Sequence, residues 1–294
     1  TEAIESYFGW INERHSIYLR RRSGAPAPWT TDRILQEFKF TNPFRENDRV
    51  TIWMRENWTK PNNNRPHGEI LFNCCLFRMI GTSEFAEQHG WAEEFNPART
   101  KELIQTRIEN GLRTFTGAYI ITNQGLKAPK SEVVVDHFLT PIWENKEALA
   151  QIAAETQSLQ KVHEAMGSYR GWGGFMSYEV VTDLNHTPVL SSAEDRYRWA
   201  NAGPGAVRGL NRILGLPLKK GMGQPMANDY MTKLLSTAPF YIQPHVPLKE
   251  VDMRTIEHSL CEWDKYERVR LGQGRPRSIY RPTLLTDTPK GAVE

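Results

Sequence analysis

Asn201-Ala-Gly-Pro-Gly-Ala-Val-Arg-Gly-Leu-Asn-Arg212 is the stretch on which the fold turns. Gly203 and Gly205 flank a proline, and a helix-compatible run with two arginines follows. Glycines there permit a tight turn and a close backbone approach. A helix beginning near Ala206 leaves N–H groups unsatisfied and points the positive end of its dipole out of that turn. Such a bend is a ready anion site, and a polynucleotide phosphate is one candidate anion. Arg208 and Arg212 are four apart, so they share a face of the expected helix. The bland alternative is a loop and a helix start with no ligand.

Outward from this bend the pattern is mainly helical. Upstream, Phe175 to Leu184 reads as a helix, preceded by a glycine-rich loop over 167–174 and a long helix or helix pair over 133–167. Phe115 to Thr122 is β-branched and aromatic, so it reads as a short strand or extended segment. Glu84 to Asn110 is amphipathic and broken near Asn96-Pro97. Glu69 to Ile80 is apolar enough for a core helix. Residues 1–22 form a helix on the spacing of Ile4, Tyr7, Phe8, Ile11 and Ile17, and another helix follows the capping residues Thr30, Thr31 and Asp32. Downstream come Lys219 and Lys220, a helix near 224–235, a proline-containing connection, and a strong helix over 252–270. From about residue 271 the chain becomes a basic, extended tail. No composition shift marks a second domain, so residues 1–294 read as one helical domain.

The bulk composition is that of an ordinary globular protein: 39% hydrophobic and 24% charged residues over 294 positions, with a net charge of +3. A charge that small leaves the partner to be decided by how the cations are distributed. Cys74, Cys75 and Cys261 have no metal-ligand spacing, and adjacent cysteines do not readily bridge, which points to a reducing compartment. No apolar run approaches the roughly 20 residues of a membrane span, and the opening Thr-Glu-Ala-Ile-Glu-Ser is not a signal peptide. A cytoplasmic protein with no membrane partner is expected. Phosphate loops of the form G-x-x-x-x-G-K-[ST], H-E-x-x-H, C-x-x-C and G-x-S-x-G are all missing, which excludes a P-loop kinase site of that form in this sequence. His163, His186 and His245 stand alone and read as structural.

Two segments carry the side chains of a chemical site. In the helix over 252–270, Ile256, Leu260 and Trp263 face the core at i, i+4, i+7. Glu257, Cys261 and Asp264 lie one step round, at the edge of that face, where half-burial can raise a carboxylate pKa into the range of a general base. His258, Glu262 and Lys265 lie further round; the alternative for this flank is solvated salt bridges such as Glu262 with Lys265. In the aromatic-rich region before it, Asn42, Arg45, Glu46, Asp48 and Arg49 interrupt the apolar pattern. Arg45 and Arg49, four apart, can clamp a phosphate, or can pair with Glu46 and Asp48. Asp183, in Val-Val-Thr-Asp-Leu, is either a buried cap or a catalytic carboxylate. Arg275, Arg277 and Arg281 make the tail suited to backbone phosphates.

Phe38-Lys-Phe-Thr-Asn-Pro-Phe-Arg-Glu-Asn-Asp-Arg49, Val181-Thr-Asp-Leu184, Gly203-Pro-Gly-Ala206 with Arg208-Gly-Leu-Asn-Arg212, and Glu257-His-Ser-Leu-Cys-Glu-Trp-Asp-Lys-Tyr266 occur in one order. Together they resemble the α-glutamyl/putrescinyl thymine pyrophosphorylase family, which is similar to the helical domain of phage 5-hydroxymethyluracil DNA kinases. The resemblance spans about residues 30–282. It implies a mainly α fold like that of helix-hairpin-helix DNA glycosylases, with Gly203, Gly205, Ala206, Arg208, Arg212, Lys219, Lys220, Arg275 and Arg277 on double-stranded DNA. It implies a phage-encoded amino acid:DNA transferase working in the host cytoplasm. Such an enzyme joins a free amino acid, glycine or serine for instance, through its amine to 5-pyrophosphooxymethyluracil and releases pyrophosphate. Catalytic carboxylates would come from Glu257, Asp252, Asp183 and Asp264. Asn42, Arg45, Glu46, Asp48, Arg49, His258 and Lys265 would hold the substrate and pyrophosphate, with Trp53, Tyr178 or Trp172 stacking on a flipped base. A glycosylase has its aspartate at the head of this helix, near Asp252, whereas Glu257 lies deeper, so the base is one or the other. Mg on the pyrophosphate is compatible with the chemistry, but no ligand motif announces it. The rival activities are a glycosylase that excises a modified pyrimidine and a catalytically silent DNA-binding module.

Overall fold

The computed structural model describes residues 1–276 and 278–280. Among them no strand forms, and one antiparallel bridge pairs Phe38 with Ile279. The chain divides into two compact units: residues 1–49 with the part from Arg196 onward, and residues 50–195 between them. Neither junction carries a Gly-, Ser- or Pro-rich linker, which is why composition alone reads as continuous.

The first unit starts with α1 (Glu2–Arg22) and α2 (Arg33–Glu37), the latter capped by the Asp32 carboxylate accepting from the Ile34 and Leu35 amides. α3 (Arg49–Met54) begins at the junction and runs into a π-helical turn over Arg55–Thr59. In the second unit, α4 (His67–Ile80) is buried all round, as its apolar run predicts. It packs against α8 (Thr140–Thr156) and α10 (Gly174–Leu184). The expected break near Asn96-Pro97 falls between α5 (Ser83–His89) and α6 (Pro97–Glu109), with Asn96 capping α6. Phe115 to Thr122, expected as a short strand or extended segment, is instead irregular, bent at Phe115 and over 117–119, and joins no strand. The 133–167 region is a helix pair: a short α7 (Lys130–Glu132) leads through a π-helical stretch into α8, and α9 (Leu159–Met166) follows.

The chain then returns to the first unit with α11 (Pro204–Ile213), α12 (Gln224–Thr237) and α13 (Met253–Arg270). α13 is the centre of this unit and touches α1, α2, α11 and α12. Its predicted core face is correct: Ile256, Leu260 and Trp263 are buried, each such side chain contributing roughly 1.5–3 kcal/mol of apolar transfer. Polar contacts fix α1 to α13. The Tyr7 hydroxyl donates to the Ile256 carbonyl (3.0 Å), and the Trp263 indole N–H donates to Ser6 Oγ (3.1 Å).

α11 differs from expectation in an instructive way. It starts at Pro204, two residues before Ala206, with Gly203 as its cap at φ −78°. Gly203 and Gly205 therefore need no left-handed turn. The close approach is made by Gly205 and Gly209, whereas a Cβ on Gly203 would meet only Glu257 Oε1, at an ordinary 3.5 Å. A Cβ on Gly205 would lie 2.3 Å from Cys261 Sγ, and one on Gly209 would lie 2.6 Å from the Leu260 carbonyl oxygen. The glycines let α11 press its backbone onto α13.

Candidate functional site

The first unit brings two groups of the predicted side chains onto α13. At the start of α11, the Gly203 N–H donates to Glu257 Oε1 at 3.0 Å. The helix N-terminus expected to receive an external anion thus receives an internal one. Glu257 is half-buried, Pro204 beside it is exposed, and Gly205 and Ala206 are buried in the helix contact. Burial, and after it the Glu257 charge, pushes the Tyr7 hydroxyl well above its usual pKa. The Cys261 thiol is pushed up to about 12 by burial first, then by the charges of Glu257 and Glu262, against the opposing pull of Lys265 and Arg208.

The second group is the loop 41–48 folded over the flank of α13. Thr41 Oγ1 is 2.5 Å from His258 Nε2, and the Thr41 N–H donates to Glu262 Oε2 at 2.8 Å. Lys265 Nζ donates to Glu262 (2.8 Å) and to the Lys39 carbonyl (3.0 Å), and lies 4.6 Å from the Phe40 ring centre. The salt-bridged flank that the sequence offered as an alternative is therefore present, in a partly buried form. Arg254, buried in the first turn of α13, faces Glu46 at 3.5 Å. Burial, and then the charges of Arg45, Arg254 and Lys265, hold His258 well below the ordinary imidazole pKa. This favours the neutral form of His258, which shares a hydrogen bond with Thr41 Oγ1. Asn42 Nδ2 donates to Asp48 Oδ1 at 3.0 Å, and Arg45 Nε lies 2.9 Å from Asp48 Oδ2. Burial raises the Asp48 pKa, with Arg45 and then Asn42 opposing. Arg45 and Arg49 do not share a helix face, because Asp48 between them is extended (ψ 133°) and ends the turn over Arg45–Asn47. Arg49 is exposed.

The other carboxylates have structural partners. Asp252 caps α13, accepting from the Thr255 N–H (3.0 Å) in a capping box, and pairs with Arg196 at 3.0 Å. Asp264 is not at the edge of the core face but fully buried. Arg208 and Arg212 of α11 each place Nε 2.9 Å from one of its oxygens. The two arginines that share a face of α11 thus converge on a carboxylate of α13; Arg212 is 7% exposed at its side chain, while Arg208 keeps 37%. Asp183 lies in the second unit, clamped by buried Arg78 at 2.5 and 2.8 Å. That pairing, with burial opposing it, drives the Arg78 pKa up. Trp172 is fully buried with its indole N–H on the Phe138 carbonyl (2.8 Å), and Tyr178 is 5% exposed, so both are core side chains and not stacking platforms. Trp53 stacks on Phe77, 5.8 Å between centres.

Lys219, Lys220 and Arg275 are exposed cations, and Arg277 and Arg281 lie outside the described residues. Among the described residues no three His, Cys, Asp or Glu side chains gather as a metal site, and no helix is long and apolar enough to cross a membrane. Sequence reasoning missed Thr41, Arg196 and Arg254. An arginine in the first helical turn, two residues after the capping Asp252, was the available signal for Arg254; Thr41 and Arg196 carry none, since their partners are over 50 positions away.

Comparison with known proteins follows the same lines. Residues 1–275 match the family model described as the helical domain of 5-hmdU DNA kinase. A curated relative, a 5-hmdU DNA kinase from Bacillus phage SP10, is 25% identical over 290 residues, covering 89% of this chain and 44% of its own length. The chain thus spans less than half of the relative it matches. No solved structure matches it. The helical architecture and the match over nearly its whole length lead to one conclusion: the chain belongs to the family of 5-hmdU DNA kinase helical domains.

Proposed function

We propose that this chain modifies thymine-derived bases in phage DNA, as an amino acid:DNA transferase acting on 5-pyrophosphooxymethyluracil. One observation carries the assignment of the site. On α13, half-buried Glu257 accepts the Gly203 N–H at 3.0 Å, a carboxylate suited to proton removal, and the same helix carries Lys265, a cation suited to a leaving phosphate. Family membership supports the DNA substrate. Lys219, Lys220, Arg275 and the exposed edge of Arg208 supply cations for the backbone.

The target base is flipped out of the duplex. Glu257 takes a proton from the ammonium group of the amino acid. The amine nitrogen then attacks the 5-methylene carbon, and the bond from that carbon to the pyrophosphate oxygen breaks with its electron pair leaving on oxygen. The ring assists by pushing electrons from N1. Lys265, Arg45 and Arg254 neutralise the departing charge. Water in place of the amine would return hydroxymethyluracil, so the pocket must exclude it. Asp252 remains the helix cap that holds α13 in register for Glu257. The relative from phage SP10 is named a kinase, but the present sequence contains no G-x-x-x-x-G-K-[ST] loop, so phosphoryl transfer is not assigned to it.

The test is product analysis. The protein is incubated with duplex DNA carrying 5-pyrophosphooxymethyluracil and glycine or serine, and the digested nucleosides are weighed by mass spectrometry. An aminomethyl-linked nucleoside with released pyrophosphate is expected. Unchanged nucleosides, or hydroxymethyluracil alone, contradict the proposal, and abasic sites would identify a glycosylase instead.

A further inference from the structure

A cavity of about 340 Å3 opens in the first unit beside the C-terminal half of α1. Its walls include Arg14, Arg21, Trp29, Phe38, Phe40 and Tyr280. None of the proposed transferase steps uses it. We propose that this cavity binds a small planar anion, one flat ring carrying a single carboxylate or phosphate.

Three features point to that class. The walls are aromatic, with the Trp29 and Tyr280 rings edge to face at 6.5 Å and the Arg21 guanidinium over both, at 5.0 and 5.8 Å. Arg14 is the second feature. Its Nε and Nη2 donate to the Phe40 carbonyl at 3.3 and 3.1 Å, while Nη1 is buried with no hydrogen-bond partner. Asp48 and Glu262 act on Arg14 only through space, and burial outweighs them, so the charged guanidinium is held at a cost. The third is Tyr280, whose hydroxyl is buried and also lacks a partner. Buried donors without acceptors are rare and call for an occupant. An apolar molecule would fill the cavity but leave both donors unmet. Bare phosphate would meet the donors but leave the rings wet. A ring bearing one anionic group does both, and the volume, near the lower end for ligand cavities, suits a single ring system.

Two sources share this chemistry, a pyrimidine mononucleotide and an aromatic carboxylate. Isothermal titration of the full chain, without DNA, separates them: thymidine 5′-monophosphate and 4-hydroxybenzoate are the probes, with thymidine and inorganic phosphate as controls. At least one of the two anions is expected to saturate, and to bind about tenfold or more tighter than either control. Arg14→Gln should weaken that binding by about tenfold or more, and Trp29→Ala should weaken it too, with melting curves verifying that each variant is folded. If Arg14→Gln does not fold, the comparison of thymidine with its monophosphate on the unaltered protein decides alone. Equal binding of thymidine and its monophosphate with no binding of the carboxylate, absence of saturation by both anions, or a folded Arg14→Gln that binds like the parent would each overturn the proposal. The readout involves no transferase turnover, so this inference stands or falls separately from the reaction proposed above.

Discussion

Gly205→Ala tests the idea that the bend exists to press α11 onto α13. The added Cβ would meet Cys261 Sγ at 2.3 Å, Cys261 Cβ at 3.1 Å and Cys261 Cα at 3.4 Å. The sulfur contact has to open by about 1 Å to reach ordinary van der Waals distance, and a close-packed helix pair has no slack of that size. Overpacking of this kind costs roughly 1–3 kcal/mol, and with the clash at the helix crossing we expect about 2–3 kcal/mol by urea denaturation. The informative measurement is the double-mutant cycle with Cys261→Ala. Removing the sulfur leaves 3.1 Å as the closest remaining contact, which a few tenths of an ångström relieve. Cys261→Ala alone should destabilise by about 1 kcal/mol as a small cavity, whereas in the Gly205→Ala background it should restore about 1 kcal/mol. Gly209→Ala is the control. Its clash is with the Leu260 backbone carbonyl at 2.6 Å, so Cys261→Ala should not rescue it. If Cys261→Ala costs the same in the Gly205→Ala and parent backgrounds, the glycine is not there to accommodate the sulfur and the packing argument is wrong.

Further expectations follow from the same contacts. Asp264→Asn leaves Arg212, with its side chain 7% exposed, facing an uncharged group, and should cost about 3–5 kcal/mol in the same denaturation assay; a loss under 1 kcal/mol would mean the pair is not the buried anchor described. His15 is buried, and burial, His245 and Arg14 lower its pKa to about 4, below the unfolded value near 6.5. The unfolded chain therefore binds the proton first, so stability is complete above about pH 6.5 and falls as pH drops toward 4, by about 3 kcal/mol for this one group. His15→Gln should remove that part of the slope, and an unchanged pH profile of unfolding would refute it. With Cys74 and Cys75 buried and the Cys261 thiol raised to about 12, folded protein at pH 8 should react slowly with a thiol reagent and take up all three equivalents only on denaturation; rapid labelling of the native chain would contradict this.

Helical periodicity made much of the architecture legible. The buried run of α4, the core stripe of α13 and the break at Asn96-Pro97 follow from local rules that need no partner. What periodicity does not carry is the identity of the facing element. Asp264 sits one step off the core stripe and looks like an edge residue until α11 covers it with Arg208 and Arg212. Gly203 and Gly205 have the composition of a turn, yet their backbone angles are ordinary, and it is Gly205 with Gly209 that serves a helix contact 50 to 60 positions away. Arg45 and Arg49 have helical spacing, but one extended residue at Asp48 uncouples them. For the site, the sequence brought residues 41–48 and 252–265 together through family resemblance, and the structure joins them through Thr41, His258 and Glu262.

The central claim is that Glu257, held by the Gly203 amide at the start of α11, is the proton acceptor of amine transfer. Its most direct test compares Glu257→Gln with the parent on pyrophosphorylated duplex DNA, reading nucleoside products by mass spectrometry and DNA binding in parallel. The glutamine can still accept the Gly203 N–H, so folding and DNA affinity should persist while aminomethyl product falls by about 100-fold or more, the usual range for removing a general base. Parent-level product from the variant would contradict the assignment.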